Sequence, residues 1–344
     1  MSTTETVLLI VLAGLVVLIL ANIAFQVAAE RNNPPIGVFT DCDGVRLHHI
    51  ERGGAAAPCV VLFHGNGTMV QDLVLSGLVD RLAQNYRVVC FDRPEFGYSH
   101  RPRTRIWTAT RQAALFAKAL DQLGVRNPVV LGHSWGTLVA IALALRSGYA
   151  VSGLVLVSGY YFPTARMDFW LMSAPALTLL GDLMRYTISP IISWAIMPKL
   201  MRTLFAPRAI PQKFKNEFPI SLALRPKQLR AAAEESAFLI PAAAQLRLHY
   251  RGIRCPVRIV HGKADRLIEA DQSRRLHGIL DQMKQGAGQH RYLCRCGGNS
   301  GCRGGAGALG TSEDRIGLLV ALRASGSGPW LTSAFGLTPS AFEG

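Results

Sequence analysis

Pro128-Val-Val-Leu-Gly132-His-Ser-Trp-Gly136-Thr-Leu-Val-Ala-Ile-Ala-Leu-Ala-Leu-Arg146 is the stretch whose reading decides the fold. Residues 128–131 are short, apolar and β-branched, as a strand buried on both faces should be. Residues 137–146 read as an apolar helix. Between them lies Gly132-His-Ser-Trp-Gly136, which has the G-x-S-x-G pattern. A serine on so sharp a strand-to-helix turn needs a strained backbone, and its neighbours must be small. Gly132 and Gly136 meet that need. The turn lifts the Ser134 hydroxyl above the sheet, at the positive end of the following helix. The pentapeptide alone is common by chance; its place between strand and helix is what marks Ser134 as a nucleophile.

Outward from this stretch, strands and helices alternate. Residues 37–40 and 45–50 flank Asp43-Gly44, a hairpin signal. Residues 59–63 are a continuous apolar run, read as a buried strand; 87–91 are read as a second buried strand, and 153–157 and 256–260 as further strands. Residues 71–86 and 108–123 have helical spacing, with Thr108 as an N-cap. The alternation predicts an α/β fold, a mostly parallel central sheet with helices on both faces. Residues 160–250 break the rhythm with helix formers, aromatics and several prolines, and are read as a helical cap inserted between two core strands. The core is therefore assigned to 36–159 and 251–285.

The N-terminus is of another kind. Residues 7–29 carry no charge, a run of 23, where roughly 20 suffice to cross a bilayer as a helix. The start, Met1-Ser-Thr-Thr-Glu5, lacks the basic residues of a cleaved signal, and the small residues of Val27-Ala28-Ala29 leave cleavage as the alternative to an anchor. Residues 1–35 are expected to form a single-pass transmembrane anchor and a linker, ending at Asn32-Asn-Pro-Pro35. Arg31 on one side and Glu5 on the other place the catalytic domain in the cytoplasm by the positive-inside rule. The chain has 344 residues and a formal charge of +15. No nucleic-acid motif accompanies that charge, so membrane lipids are the expected partner rather than nucleic acid. Between residues 199 and 230 stand eight Lys or Arg and one Glu, either a solvated basic face or one that meets headgroups. Cys42, Cys59, Cys90 and Cys255 are read as free thiols; Cys294, Cys296 and Cys302 lack metal-site spacing, and no metal or cofactor is expected.

A nucleophile that generates an oxyanion needs donors. The backbone N–H of Trp135 is one. The loop after the strand 59–63 reads His64-Gly65-Asn66-Gly67-Thr68 and supplies the other at Asn66. His64, Gly65 and His133 are expected to line the pocket. Four motifs in order, His64-Gly65, then Asp92-Arg-Pro-Glu-Phe-Gly-Tyr-Ser99, the serine turn, and His261-Gly-Lys-Ala-Asp265, resemble the α/β-hydrolase superfamily over about residues 36 to 280. The second has Glu95 where the family usually has glycine. The resemblance implies a structural role for Asp92 and makes Asp265 the triad acid. It also places a histidine after the last strand. The chain offers His290, in Gly286-Ala-Gly-Gln-His290, as the general base.

Serine rather than aspartate at the turn argues against the dehalogenase and epoxide-hydrolase branches. The expected activity is cleavage of an ester-like bond in a small hydrophobic substrate. Carbon–carbon bond hydrolysis, perhydrolase chemistry of the haloperoxidase type, and an inactive, membrane-anchored binding shell are the alternatives. Residues 286–344 are rich in glycine and have no strand or helix period. They are read as an irregular tail produced by a frame shift near residue 281, with a genuine disordered tail as the alternative.

Overall fold

The computed structural model of the protein describes residues 2–164, 172–177, 179–262, 264, 265, 267–286 and 293–296. Strands β1 (Val38–Cys42) and β2 (Val45–Arg52) form the antiparallel hairpin. At its turn Asp43 and Gly44 have φ of 51° and 72°, the left-handed pair that a two-residue hairpin demands. Strand β2 also pairs antiparallel with β4 (Arg87–Phe91). The remaining strands, β3 (Cys59–Phe63), β5 (Val129–His133), β6 (Gly153–Val157), β7 (Val257–His261) and β8 (Leu293–Cys296), join β4 in parallel. The order is β1-β2-β4-β3-β5-β6-β7-β8.

The largely apolar runs of β3 to β7 follow from this pairing, because both faces of these strands are covered. Val61, Phe63, Val89 and Phe91 face a core shared with α4 (Ala109–Gln122) and α5 (Gly136–Ala144). Their neighbours Val60, Leu62, Val88 and Cys90 face a second core with α2 (Val70–Leu75) and α3 (Leu78–Leu82). The expected single helix over 71–86 is thus two. Gly77, at φ 75°, separates them, a conformation glycine adopts without steric cost. Thr108 caps α4 by accepting from the Arg111 amide.

Between β6 and β7 the chain leaves the sheet to build the cap: α6 (Leu180–Tyr186), α7 (Ser189–Phe205), α8 (Gln212–Glu217), α9 (Ile220–Ala223) and α10 (Pro226–Leu246). After β7 comes α11 (Ala270–Gly286). The expectation that no strand lies beyond residue 286 is overturned by β8, which pairs in register with β7 from Arg258–Leu293 to His261–Cys296. An edge strand is held through backbone hydrogen bonds to one neighbour, so it needs no apolar alternation to form.

Helix α1 (Thr3–Asn32) has 30 residues. Ser2 and Glu5 form a reciprocal capping box at its start. It is apolar and solvent-facing for most of its length, the one helix among the described residues long and apolar enough to cross a membrane. Its C-terminal end is nevertheless tied to the cap and core. Glu30 pairs with Arg225 at 2.7 Å and with Lys227 at 3.1 Å. The Tyr98 hydroxyl donates to the Asn33 carbonyl.

Candidate active site

Ser134 stands between β5 and α5 with φ 50°, a left-handed conformation that an L-residue holds only at a cost. The surroundings fix it there. Its amide donates to the Val157 carbonyl at 2.8 Å, and its carbonyl accepts from the Thr137 amide and hydroxyl. The flanking glycines are demanded by space. A Cβ on Gly136 would come 2.5 Å from the Phe63 carbonyl oxygen and 2.6 Å from that of His64, and one on Gly132 would overlap the Gly136 carbonyl.

The loop after β3 lies against this turn. A Cβ on Gly65 would sit 3.2 Å from both the Ser134 Cβ and the His133 Nδ1. Among the described residues, the backbone N–H groups of Asn66 and Trp135 make no hydrogen bond. The Asn66 side chain is instead drawn to the cap, where it donates to the Ala232 carbonyl at 3.0 Å and the Ser236 hydroxyl at 3.1 Å.

Arg93 organises that loop, and the sequence reading did not single it out. Its guanidinium donates to the carbonyls of His64 at 3.0 Å and Gly65 at 2.9 Å. It pairs with Glu235 of α10, and both side chains are essentially sealed from water, at 0% and 1% exposure. The Trp135 indole N–H donates to the Glu235 carbonyl at 3.1 Å, and Arg93 lies over the Trp135 ring. One cap helix therefore braces both sides of Ser134. The available signal was Arg93 itself, inside the quoted 92–99 motif; its partner lies far along the chain, in the inserted cap.

His64 is fully buried with both ring nitrogens occupied. Nε2 accepts from the Arg93 amide, so Nδ1 carries the proton and donates to the Gly65 carbonyl at 2.8 Å. Burial, reinforced by the Arg93 charge, brings its pKa down to about 3. His64 is thus a strut under the loop. Burial likewise lowers His133 to about 4, against the pull of Asp265 and with the push of Arg93. Asp265 therefore lies within electrostatic reach of the serine turn. Its Oδ1 accepts from the amides of Leu267 at 2.9 Å and Ile268 at 3.0 Å, and its Oδ2 is 3.7 Å from His261. His261 is itself spent on Ser273 and the Ile268 carbonyl.

Asp92 is buried, and burial alone would raise its pKa; the His48 hydrogen bond at 2.6 Å outweighs that and holds it low. It also accepts from the Val70 and Tyr98 amides, tying sheet, helix and turn together. Glu95 takes φ 73° in place of the family's glycine. Its carboxylate meets Arg230 at 3.5 Å and Arg101 at 3.8 Å.

His290 lies outside the described residues. In the chain it precedes Leu293, which pairs with Arg258, whereas Ser134 and Asp265 follow the opposite, C-terminal ends of their strands. No histidine follows residue 290 in the sequence.

A strained serine between strand and helix, on a parallel sheet with a helical insertion, defines a fold class, and its family follows from sequence. The model of the alpha/beta hydrolase family matches residues 60–295, and the chain belongs to that family. It is 35% identical over 138 residues to the dihydrolipoyllysine-residue acetyltransferase component of an acetoin cleaving system from Cupriavidus necator, covering 40% of this chain and 36% of that protein. It is 33% identical over 129 residues to a haloalkane dehalogenase from Mycobacterium marinum, covering 37% of this chain and 42% of the relative. The matched stretch is thus less than half of either relative's length. Among solved structures it resembles an enol-lactonase from Burkholderia xenovorans, with a TM-score of 0.52 at 20% identity over 75% of this chain and 91% of that one, which is a likeness of fold.

Proposed function

We propose that the protein is a membrane-anchored serine hydrolase that cleaves an ester-like bond in a hydrophobic substrate. The observation that carries the reading is Ser134, held at φ 50° beside two backbone amides with no partner among the described residues. In this mechanism the Ser134 oxygen attacks the substrate carbonyl. The amides of Trp135 and Asn66 receive the charge that develops on the carbonyl oxygen. The acyl-enzyme forms as the alcohol leaves, and water then releases the acid. Asp265 orients the histidine that moves the proton and stabilises its charged form. The sequence offers His290 for that part, although it stands before β8 and not after it, so His290→Gln is the variant that decides the assignment. The apolar cap and α1 support a hydrophobic substrate, with α1 crossing the membrane and the catalytic domain on the cytoplasmic side.

A set of p-nitrophenyl esters of increasing chain length tests the assignment. Turnover that rises with chain length, is lost in Ser134→Ala and falls to the same level in His290→Gln is the expected result. Turnover unchanged in Ser134→Ala removes the reading. A second reading, a hydrolase shell that binds without catalysis, is favoured by the lack of any histidine after β8. It predicts well-folded protein with no Ser134-dependent turnover of any ester.

A further inference from the structure

We propose that the α6–α7 arm of the cap is embedded in the same bilayer leaflet that α1 enters, so that the protein docks on the membrane through two elements rather than one. The inference rests on the reading of α1 as a membrane span.

The argument begins at Asn22, a polar residue in the middle of an apolar helix and only 7% exposed. Its side-chain amide donates to the Leu18 carbonyl of its own helix and to the carbonyls of Tyr186 and Thr187, at 2.9 and 3.1 Å, in the turn between α6 and α7. Asn22 precedes Glu30 by eight residues, about 12 Å of helix at 1.5 Å per residue. Glu30 and Arg31 are the first charges after the apolar run, so they mark the headgroup level. The turn bonded to Asn22 then lies roughly 12 Å inside a leaflet whose hydrocarbon half is about 15 Å thick. A cleaved signal would not be bonded into the folded domain in this way.

The surface of the arm matches that depth. Leu179 is 81% exposed and Trp194 69%, and Leu180, Ile191, Ile192 and Ile196 are exposed beside them. These residues crowd onto an arm whose α6 packs against α1, more exposed apolar side chains than isolated surface residues account for. The charged side chains of α6 are paired. Arg185 is buried and bonded to Asp182 and the Pro175 carbonyl, and Asp182 also meets Arg103 at 3.0 Å. Along α7 the outward side chains change character. The first half is apolar, and Lys199 and Arg202 face outward in the second. That helix ends at Phe205, in one cluster with Ala29 near the base of α1. Lys213 and Lys215 continue the exposed basic belt at that level. An apolar tip, a basic collar and a net charge of +15 fit an anionic leaflet, where each Lys or Arg near the surface adds attraction. A second protein copy would cover the tip without explaining the collar.

The test uses the full chain reconstituted in vesicles of phosphatidylcholine and phosphatidylglycerol in equal parts, with lipids brominated on the acyl chains. Of the described tryptophans, Trp107 and Trp135 are buried in the protein, at 2% exposure each, so Trp194→Phe isolates the arm. Embedding predicts a blue-shifted emission component that is lost on bromination and is missing from Trp194→Phe. Emission from Trp194 that bromination leaves unchanged overturns the proposal, whether water or a protein partner surrounds the ring. In the double variant Ile192→Glu and Ile196→Glu, hydrolysis of a vesicle-borne long-chain ester is expected to fall about tenfold or more, while a water-soluble short-chain ester is turned over as before. Equal loss on both substrates contradicts a membrane role for the arm. Quenching of Trp194 with no Ser134-dependent turnover at all would remove the hydrolase reading and leave the membrane surface standing.

Discussion

Ser134 combines two demands that pull against each other, a side chain for chemistry and a backbone conformation suited to glycine. At φ 50° a residue with a Cβ is disfavoured by about 1–2 kcal/mol. Ser134→Gly is therefore expected to be more stable than Ser134→Ala by about 1 kcal/mol in denaturant melts; equal stabilities would mean that the turn is not strained. Gly136 is constrained by space instead. Gly136→Ala puts a methyl group 2.5 Å from the Phe63 carbonyl oxygen and is expected to shift α5 away from the sheet, lowering the melting temperature and Ser134 reactivity together. His64 makes a pH prediction. Its folded pKa of about 3 lies below the ordinary 6.5, so the unfolded chain binds a proton that the folded chain refuses. The stability present above pH 6.5 is then lost progressively as pH falls from about 6.5 to about 3. Chemical denaturation across that range should show a shallower pH slope in His64→Gln than in the wild type.

At the scale of elements, the parallel strands β3 to β7 were legible because each is a short, largely apolar run covered on both faces, and the hairpin because Asp43-Gly44 fits one turn type. The serine turn and its neighbouring loop were legible for the same local reasons. The split of 71–86 into α2 and α3 depends on one glycine's φ, which apolar spacing does not report. Strand β8 was missed because edge pairing with β7 is a backbone matter. The Arg93–Glu235 pair was not legible, since it joins the quoted motif to a cap helix 142 residues further on. Breaking it tests the bracing role assigned to α10. Glu235→Gln leaves a buried guanidinium without its counter-charge, and a loss of about 3–5 kcal/mol is expected. If α10 braces the loop, reactivity at Ser134 also falls in protein that is still folded. Unchanged reactivity would mean that the pair serves the fold alone.

The whole molecule joins an α/β-hydrolase core, a helical cap and an apolar N-terminal helix through a small set of polar ties, Asn22, Glu30 and Tyr98 among them. If α1 is a true span, the full chain should stay with membranes through alkaline carbonate washing, and release into the supernatant would contradict that. The central claim, however, sits on one hydroxyl. It is tested most directly by treating the full chain in membranes with a fluorophosphonate probe and locating the adduct by peptide mass spectrometry. The account predicts a single adduct on Ser134 that disappears in Ser134→Ala. Folded protein that takes up no probe, or takes it up at another residue, would contradict it.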